Sequence, residues 1–320
     1  MGVATGDAAV SDATIVIVTR NRREEALRAV ASAVEQRGNI EVLVIDDGST
    51  DGTSDAVEAA FPSVRLERFA SSEEVVARRN AAAALASGPI LIGIDDDAEF
   101  TSADIALQTV QDFDDARVGA VAIPCVDLPR GPGVQQQAPS ADGVFVTQQF
   151  FGAACAVRRD LFLELGGYRP ALEHQAEEPD LCIRLLASGH VVRLGRSDPV
   201  VHYASPKRDV DLMWFRGTRN DIFFGWHNVP LMRLPAYLGK QTLYEFGLGA
   251  RVRRPRPFVR GLLAGYRWAR SSDERRPVPV AVFDLYRRLG QGEAVPLEQI
   301  EHLLPNSTEH VPPTRRRVVR

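Results

Sequence analysis

Two acidic runs in the 320-residue chain have the composition of a chemical site. Asp46-Asp47-Gly48-Ser49-Thr50-Asp51-Gly52-Thr53 follows the apolar run Glu41–Ile45, and Asp95-Asp96-Asp97 follows Ile90–Ile94. Three consecutive carboxylates after a buried strand repel one another, and a hard divalent cation is the natural neutralising partner. The first run has a second reading as a turn and helix cap, because Asp, Ser, Thr and Gly close turns and accept from helix N–H groups.

The elements that must position these carboxylates follow from periodicity. Short β-branched runs alternate with amphipathic stretches: Thr14–Val18, then a helix over Arg22–Gln36, a strand Glu41–Ile45, a helix over Gly52–Ala60 and a strand Val64–Phe69. A helix over Glu73–Ala86 stops at Gly88-Pro89 and leads into Ile90–Ile94. Near-continuous apolar strands separated by helices imply a parallel sheet covered on both faces, whose ligands bind at strand carboxyl ends. Both acidic runs stand at such ends. Further on, the pattern predicts a helix over Ser102–Asp114, a strand Val118–Ile123, a loop over Pro129–Gly143 and extended chain over Val144–Val157. Helices over Arg159–Leu165 and Pro179–Ser188 and strands Val191–Leu194 and Val200–Tyr203 follow.

Composition bounds the class. With 45% hydrophobic and 25% charged residues the chain is an ordinary globular protein, which excludes collagen-like and wholly disordered classes. Its longest mostly small and apolar stretch, Ala81–Ile94, is too short for a bilayer span and is broken by Ser87, Gly88 and Pro89. The first residues resemble neither a signal peptide nor, with Gly6 where Ser or Thr is wanted, a myristoylation signal, so cytoplasmic residence is expected. Cys125, Cys155 and Cys182 have no Cys-x-x-Cys spacing and read as reduced core thiols. Up to Ala204 there are 17 Arg and Lys against 31 Asp and Glu; beyond it there are 21 against 11. Only Lys207 and Lys240 are lysines, an arginine bias that a GC-rich genome also produces.

The motifs together resemble family 2 glycosyltransferases with the A-type nucleotide-sugar-binding fold, from about Ala13 to Ala204. They are Ile15-Val-Ile-Val-Thr-Arg-Asn21, Glu41-Val-Leu-Val-Ile-Asp-Asp-Gly-Ser-Thr-Asp-Gly-Thr53, Ala77-Arg-Arg-Asn-Ala81 and Ile94-Asp-Asp-Asp97. The fold implied is α/β, a Rossmann-like, mostly parallel sheet flanked by helices with a C-terminal helical extension. The layout expected is a flexible lead (1–12), a nucleotide-sugar-binding half (13–100), an acceptor-binding and catalytic half (101–205), a helical extension (206–304) and a flexible tail (305–320).

The resemblance also implies roles. Thr19 and Arg20 would lie beside base and ribose, Asp47 would contact one of them, and Arg78 and Asn80 would line the same pocket. Asp95 and Asp97 match an Asp-x-Asp motif, with Asp96 between them, that contacts donor ribose and holds Mg²⁺ or Mn²⁺ against the diphosphate. The metal stabilises the charge gathered by the leaving nucleoside diphosphate. Phe151–Arg159 and Leu165-Gly-Gly-Tyr168 are similar to the acceptor-side strand and turn, where Gly152 would let a sugar approach or serve as plain packing. Glu177-Glu178-Pro179-Asp180 resembles the acidic helix start that supplies the general base; the family usually has Asp where this chain has Glu178. Glu178 is favoured, with Asp180 and Glu177 as alternatives, and all three also fit helix capping. His202 is similar to a histidine that some members give to the metal, and also reads as a hydrogen-bonded core residue. Arg158 and Arg184 read as structural ion pairs.

The expected activity is metal-dependent, inverting transfer of a sugar from a nucleoside-diphosphate sugar, UDP or dTDP favoured, with GDP open. The acceptor would be a hydroxyl of a glycan, a lipid-linked glycan or a small molecule. The rival is a noncatalytic nucleotide-sugar- or glycan-binding module of the same fold, motivated by Glu178. A sugar nucleotidyltransferase would want a lysine beside a glycine-rich N-terminal loop, and the first 200 residues have no lysine. A dinucleotide-binding enzyme would want Gly-x-Gly-x-x-Gly where Thr19-Arg-Asn-Arg22 stands. The basic tail, with Arg251–Arg260 before Gly261–Arg270, reads as a helical packing appendage or as peripheral contact with the inner face of an anionic membrane. Nucleic-acid binding is not expected, since no recognised module accompanies the charge.

Overall fold

A computed structural model of the chain describes residues 11–205, 209–272, 275–292 and 294–306. The expected flexible lead and tail lie outside them apart from residues 11, 12, 305 and 306. The sequence alternation yields β1 (Ala13–Thr19), α1 (Arg23–Val34), β2 (Ile40–Asp46), α2 (Thr53–Ala60), β3 (Arg65–Arg68), α3 (Glu74–Leu85) and β4 (Ile90–Asp95). β1 is buried along almost its whole length, as a strand covered on both faces must be. α1 buries Ala26, Ala29, Val30 and Ala33, the i, i+3, i+4, i+7 stripe of an amphipathic helix, and carries Glu24 and Glu25 in its first turn, where the helix dipole favours acids.

The middle of the chain forms β5 (Ala98–Phe100), α4 (Ile105–Gln111), β6 (Val118–Ala122), β7 (Cys125–Asp127), β8 (Val134–Gln135), β9 (Phe145–Thr147) and β10 (Ala154–Arg158). It continues with α5 (Arg159–Glu164), α6 (Glu177–Ala187), β11 (Val191–Leu194) and β12 (Val200–His202). The main sheet has nine strands in the order β13-β9-β11-β6-β10-β4-β1-β2-β3, where β13 is Val295–Pro296. β3, β2, β1 and β4 are parallel neighbours, whereas β10 runs antiparallel between β4 and β6. This reversal places the start of β10 beside the carboxyl end of β4. α4 is shorter than its pattern because Thr101 and Ser102 bond to Pro199 O and Asp198 instead of entering the helix.

A second sheet, β5-β12-β7-β8, is what periodicity alone did not foresee. Its central strand pairs His202 with Ala98 on one side and with Asp127 on the other. The histidine is thereby brought to the turn that carries Asp97.

The helical extension consists of α7 (Val210–Asn228), α8 (Leu234–Arg251), α9 (Pro255–Ser271) and α10 (Val280–Leu289). Asp209 caps α7 by accepting from Leu212 N. Beyond α10 the chain returns and adds β13 to the edge of the main sheet against β9. Among the described residues no helix is long and apolar enough to cross a membrane. The three cysteines are free and buried.

Candidate active site

The carboxyl ends of β1, β2 and β4 and the amino end of β10 meet at one edge of the sheet, with Thr19 level with Asp46 and Val18 level with Asp95. A cavity of about 870 Å³ opens there, walled in part by Thr19, Arg20, Asp47, Asp95, Asp96, Gly152, Glu177, Glu178 and His202. These nine are sequence-predicted site residues. Arg78, Asn80, Asp97 and Asp180 stand behind the wall.

The first acidic run divides its labour. Asp46 accepts from Ser49 N and from the Ser54 hydroxyl, and Asp51 accepts from Thr53 N at 3.0 Å, so both shape the turn into α2. Gly48 supplies the positive φ of 75° that this turn needs. Asp47 instead accepts from Arg78 Nε at 2.6 Å, from Glu73 N at 2.9 Å and from the Ser72 hydroxyl. Burial would raise the Asp47 carboxyl, but these donors outweigh it and hold it below the ordinary carboxylate range. Arg78 is buried, donates to Ser71 O at 2.6 Å and lies 3.6 Å over the Phe69 ring. Its expected place in the pocket lining is corrected: it holds Asp47 from behind. Asn80 is corrected likewise, since it exchanges two hydrogen bonds with the backbone of Tyr168 and pins the Gly166-Gly167 turn.

The second run makes a cation-shaped group. Ligand atoms of Asp95, Asp97 and His202 lie within 4.8 Å of one another. His202 Nε2 is 3.3 Å from Asp97 Oδ1, and its Nδ1 is 2.8 Å from Asp127 Oδ1. A carboxylate behind an imidazole fixes its orientation and directs the other nitrogen forward. Burial opposes a charge on His202, but Asp97, Asp95 and Asp127 outweigh it and raise its pKa. Two carboxylates and an imidazole suit a hard or borderline divalent ion such as Mg²⁺ or Mn²⁺. Asp96 turns elsewhere, accepting from Thr19 Oγ1 at 2.8 Å and from Arg22 at 2.6 Å. Burial pushes its carboxyl up to about 6, with Arg22 opposing and Asp97 adding to the shift.

Sequence reading missed the flanking cations. Arg22 bonds Asp96 and reaches Asp97 at 3.5 Å; Arg79 bonds Asp95 at 2.7 Å and Glu177 at 3.1 Å. Arg79 is the neighbour of the predicted Arg78 on α3. A step of one residue turns the side chain about 100° around the helix, so one arginine goes to Asp47 and the other to Asp95. Only the pairing of strands into the second sheet could have revealed Asp127.

The third acidic group separates by environment. Asp180 is fully buried between Arg169 at 2.9 Å and Arg184 at 2.8 Å, and also accepts from Asn228 at 2.8 Å. Burial would raise it, but the two guanidinium groups hold it down to about 2. It faces away from the cavity, so the expectation of Asp180 as an alternative proton acceptor is corrected. Arg184 makes the expected structural ion pair, while Arg158 bonds the carbonyls of Val118, Phe113 and Asp115. Glu178 lines the cavity, and its carboxyl is pushed up to about 8 by burial and by the charge of Glu177, with Arg79 opposing. The space a Cβ would take at Gly152 is filled by the Glu178 carboxylate.

α7 completes the site. Asp209, Leu212, Met213 and Arg216 line the cavity, and Arg216 pairs with Glu74 at 2.8 Å and Glu173 at 3.3 Å. Asn220 Nδ2 donates to the carbonyls of Leu172, His174 and Gln175 at 2.7–2.9 Å. Glu173, Gln175 and Ala176 in that loop all have positive φ, a conformation that non-glycine residues hold only with outside support. Asn220 provides it, immediately before Glu177 and Glu178.

A parallel strand-helix half, an acidic turn after its fourth strand and an antiparallel strand leading to a carboxylate-bearing helix define the A-type glycosyltransferase fold. Residues 14–139 match the model of the family described as Glycosyl transferase family 2. The match covers about two-fifths of the chain. The chain is 38% identical over 96 residues to the succinoglycan biosynthesis protein ExoU of Rhizobium meliloti, a stretch spanning 29% of this chain and 28% of that relative. Among solved structures it resembles the mannosyltransferase PcManGT of Pyrobaculum calidifontis in complex with GDP-Man and Mn²⁺. That likeness has a TM-score of 0.56 at 21% identity and covers 87% of this chain and 79% of the other. It also resembles TarS of S. aureus in complex with UDP, with a TM-score of 0.54 at 15% identity over 88% and 93% of the two chains. At these identities the structural likeness is one of fold.

Proposed function

We propose that the chain transfers a sugar from a nucleoside-diphosphate sugar to an acceptor hydroxyl, with a divalent cation, and with inversion at the anomeric carbon. The observation that carries this reading is that Asp95 and His202, which with Asp97 behind them form a cation-shaped group, line the same cavity as Glu178. Asp95, Asp97 and His202 would hold Mg²⁺ or Mn²⁺, which when bound offsets the negative charge of the departing diphosphate. Thr19, Arg20 and Asp47 border the part of the cavity at the ends of β1 and β2, where base and ribose would sit.

Glu178 takes the proton of the acceptor hydroxyl as that oxygen attacks the anomeric carbon. The bond from this carbon to the diphosphate oxygen breaks, and its electron pair leaves with the nucleoside diphosphate. One displacement from the opposite face inverts the centre. Arg79 restrains Asp95 and Glu177, and Gly152 leaves room for the Glu178 carboxylate. A donor of the UDP, dTDP or GDP class fits the same reading, and ExoU, a protein of succinoglycan biosynthesis, favours a cell-envelope glycan as the product. The acceptor is a glycan, lipid-linked or small-molecule hydroxyl met on the cytoplasmic side of the membrane.

The test is calorimetric titration with UDP, dTDP and GDP, each with Mn²⁺, Mg²⁺ or chelator, followed by product analysis by NMR with the sugar conjugate of the nucleotide that binds. Metal-dependent binding and a product of opposite anomeric configuration support the proposal. A folded protein that binds none of the nucleotides, or a product of retained configuration, refutes it.

A further inference from the structure

α8 exposes apolar residues along its outward face. Its inward side mixes Leu234, Tyr237 and Leu238, packed toward the core, with paired polar groups: Thr218 of α7 donates to Glu245 at 2.7 Å, Gln241 donates to Asp221 and Glu245 at 2.8 and 3.0 Å, and Thr242 bonds Tyr266 of α9 at 2.7 Å. Its outward side carries Ala236, Gly239, Leu243, Phe246, Gly247 and Ala250 on one stripe at 3.6 residues per turn, with the exposed Lys240 and Tyr244 along its margin. Leu243 is 74% exposed and Phe246 51%, and Leu231 and Met232 in the turn before the helix are 70% and 87% exposed. Single exposed apolar residues are common, but a stripe over about 21 Å of helix is the mark of a surface that meets something apolar.

The charge beside this stripe indicates what it meets. From Phe246 to Ser272 the chain has seven arginines and no Asp or Glu. Arg251, Arg253, Arg254, Arg256 and Arg260 are exposed at the end of α8 and the start of α9. Pairing this face with a second copy across a two-fold axis would bring like charges together. An anionic bilayer takes both parts, the apolar stripe in its acyl boundary and the arginines at its phosphates. A second cavity, of about 720 Å³, runs from those arginines toward the active site: Arg256 and Arg260 line it, and it shares Asp209 and Leu212 with the first.

We infer that the outward face of α8, with the arginine-rich turn into α9, is a docking surface for an anionic lipid bilayer. This deepens the proposed function, on which it rests for its acceptor chemistry, by naming where a lipid-linked acceptor is met. Co-sedimentation of the full chain with phosphatidylcholine vesicles, with and without phosphatidylglycerol, tests it. Binding is expected only with phosphatidylglycerol, weakening as salt rises. It should fall at least about tenfold in the Leu243→Asp/Phe246→Asp variant. The Arg251→Ser/Arg253→Ser/Arg256→Ser variant leaves the apolar stripe intact and should show the same direction of loss. Metal-dependent nucleotide binding without lipid should be unchanged in both.

A wild-type protein that binds nucleotide but ignores anionic vesicles overturns the docking surface alone. A wild-type dimer that becomes monomeric in the Leu243→Asp/Phe246→Asp variant without lipid overturns it in favour of self-association. Vesicle binding without any nucleotide binding overturns the glycosyltransferase reading and leaves the surface standing.

Discussion

The Glu178 carboxylate occupies the space that a side chain at Gly152 would need. A side chain at 152, just before β10, would therefore turn the Glu178 carboxylate out of its present place. In the proposed reaction, the cavity wall at Gly152 and the position of Glu178 are thus one feature.

Gly152→Ala is predicted to displace Glu178 and lower kcat by about 10–100-fold, leaving the Kd for nucleotide with Mn²⁺ unchanged. Glu178→Gln should lower kcat by about 10²–10⁴-fold, the usual contribution of a positioned base. Steady-state kinetics beside calorimetry separate the two parameters. Full activity in Glu178→Gln would remove the residue from the mechanism.

The pH profile follows from the raised pKa of Glu178. The base acts as carboxylate, so activity should be lost as pH falls below about 8 and reach a plateau above it. A kcat/KM profile from pH 5.5 to 9 checks this; a flat profile over that range would contradict the assignment.

Asp97→Ala should weaken Mn²⁺-dependent nucleotide binding by at least about 100-fold, because a bound metal supplies several kcal/mol of charge stabilisation. Asp127→Asn keeps the shape but weakens the hold on His202. It should cost about 10–100-fold in Mn²⁺ affinity, measurable by direct metal titration. An unchanged affinity would mean that Asp127 does not tune the metal group through His202.

Asp180→Asn should behave as a stability variant. Removing one partner from a buried ion pair costs about 3–5 kcal/mol, and here Arg169 and Arg184 both lose theirs. The folded-state pKa of Asp180 lies below its unfolded value. Its stabilising contribution is therefore complete above about pH 4 and lost as pH falls toward 2. Urea denaturation at pH 7 and pH 3 should show a larger gap between wild type and variant at pH 7.

Asn220→Leu should release the loop before Glu177. A fall in kcat with nucleotide affinity kept would identify Asn220 as a positioning residue; equal losses in kcat, affinity and melting temperature would reduce it to a packing role.

Strands β1, β2 and β4 and the acids at their ends were legible because a buried parallel strand is a near-continuous apolar run and a carboxylate cluster at its end is conspicuous. The fates of Arg78 and Arg79 were not legible. The two are identical in type and adjacent in sequence, and only the phase of α3 sends them to different aspartates. Asp180 and Glu178 were equally opaque, since their difference lies in arginines 11 residues before and 4 residues after Asp180 that converge on it alone. Asp127 carries no local signal, because its relation to His202 exists only through strand pairing.

α7 joins both sides of the site. Arg216 holds Glu74 at the head of α3, Asn220 holds the loop before α6, and Asn228 reaches Asp180 within it. Exchanging the helices after residue 205 for those of another protein would thus exchange the set of the loop before α6 as well. In this chain the extension is part of the scaffold of the cavity, so a change in α7 alters the support of both its walls.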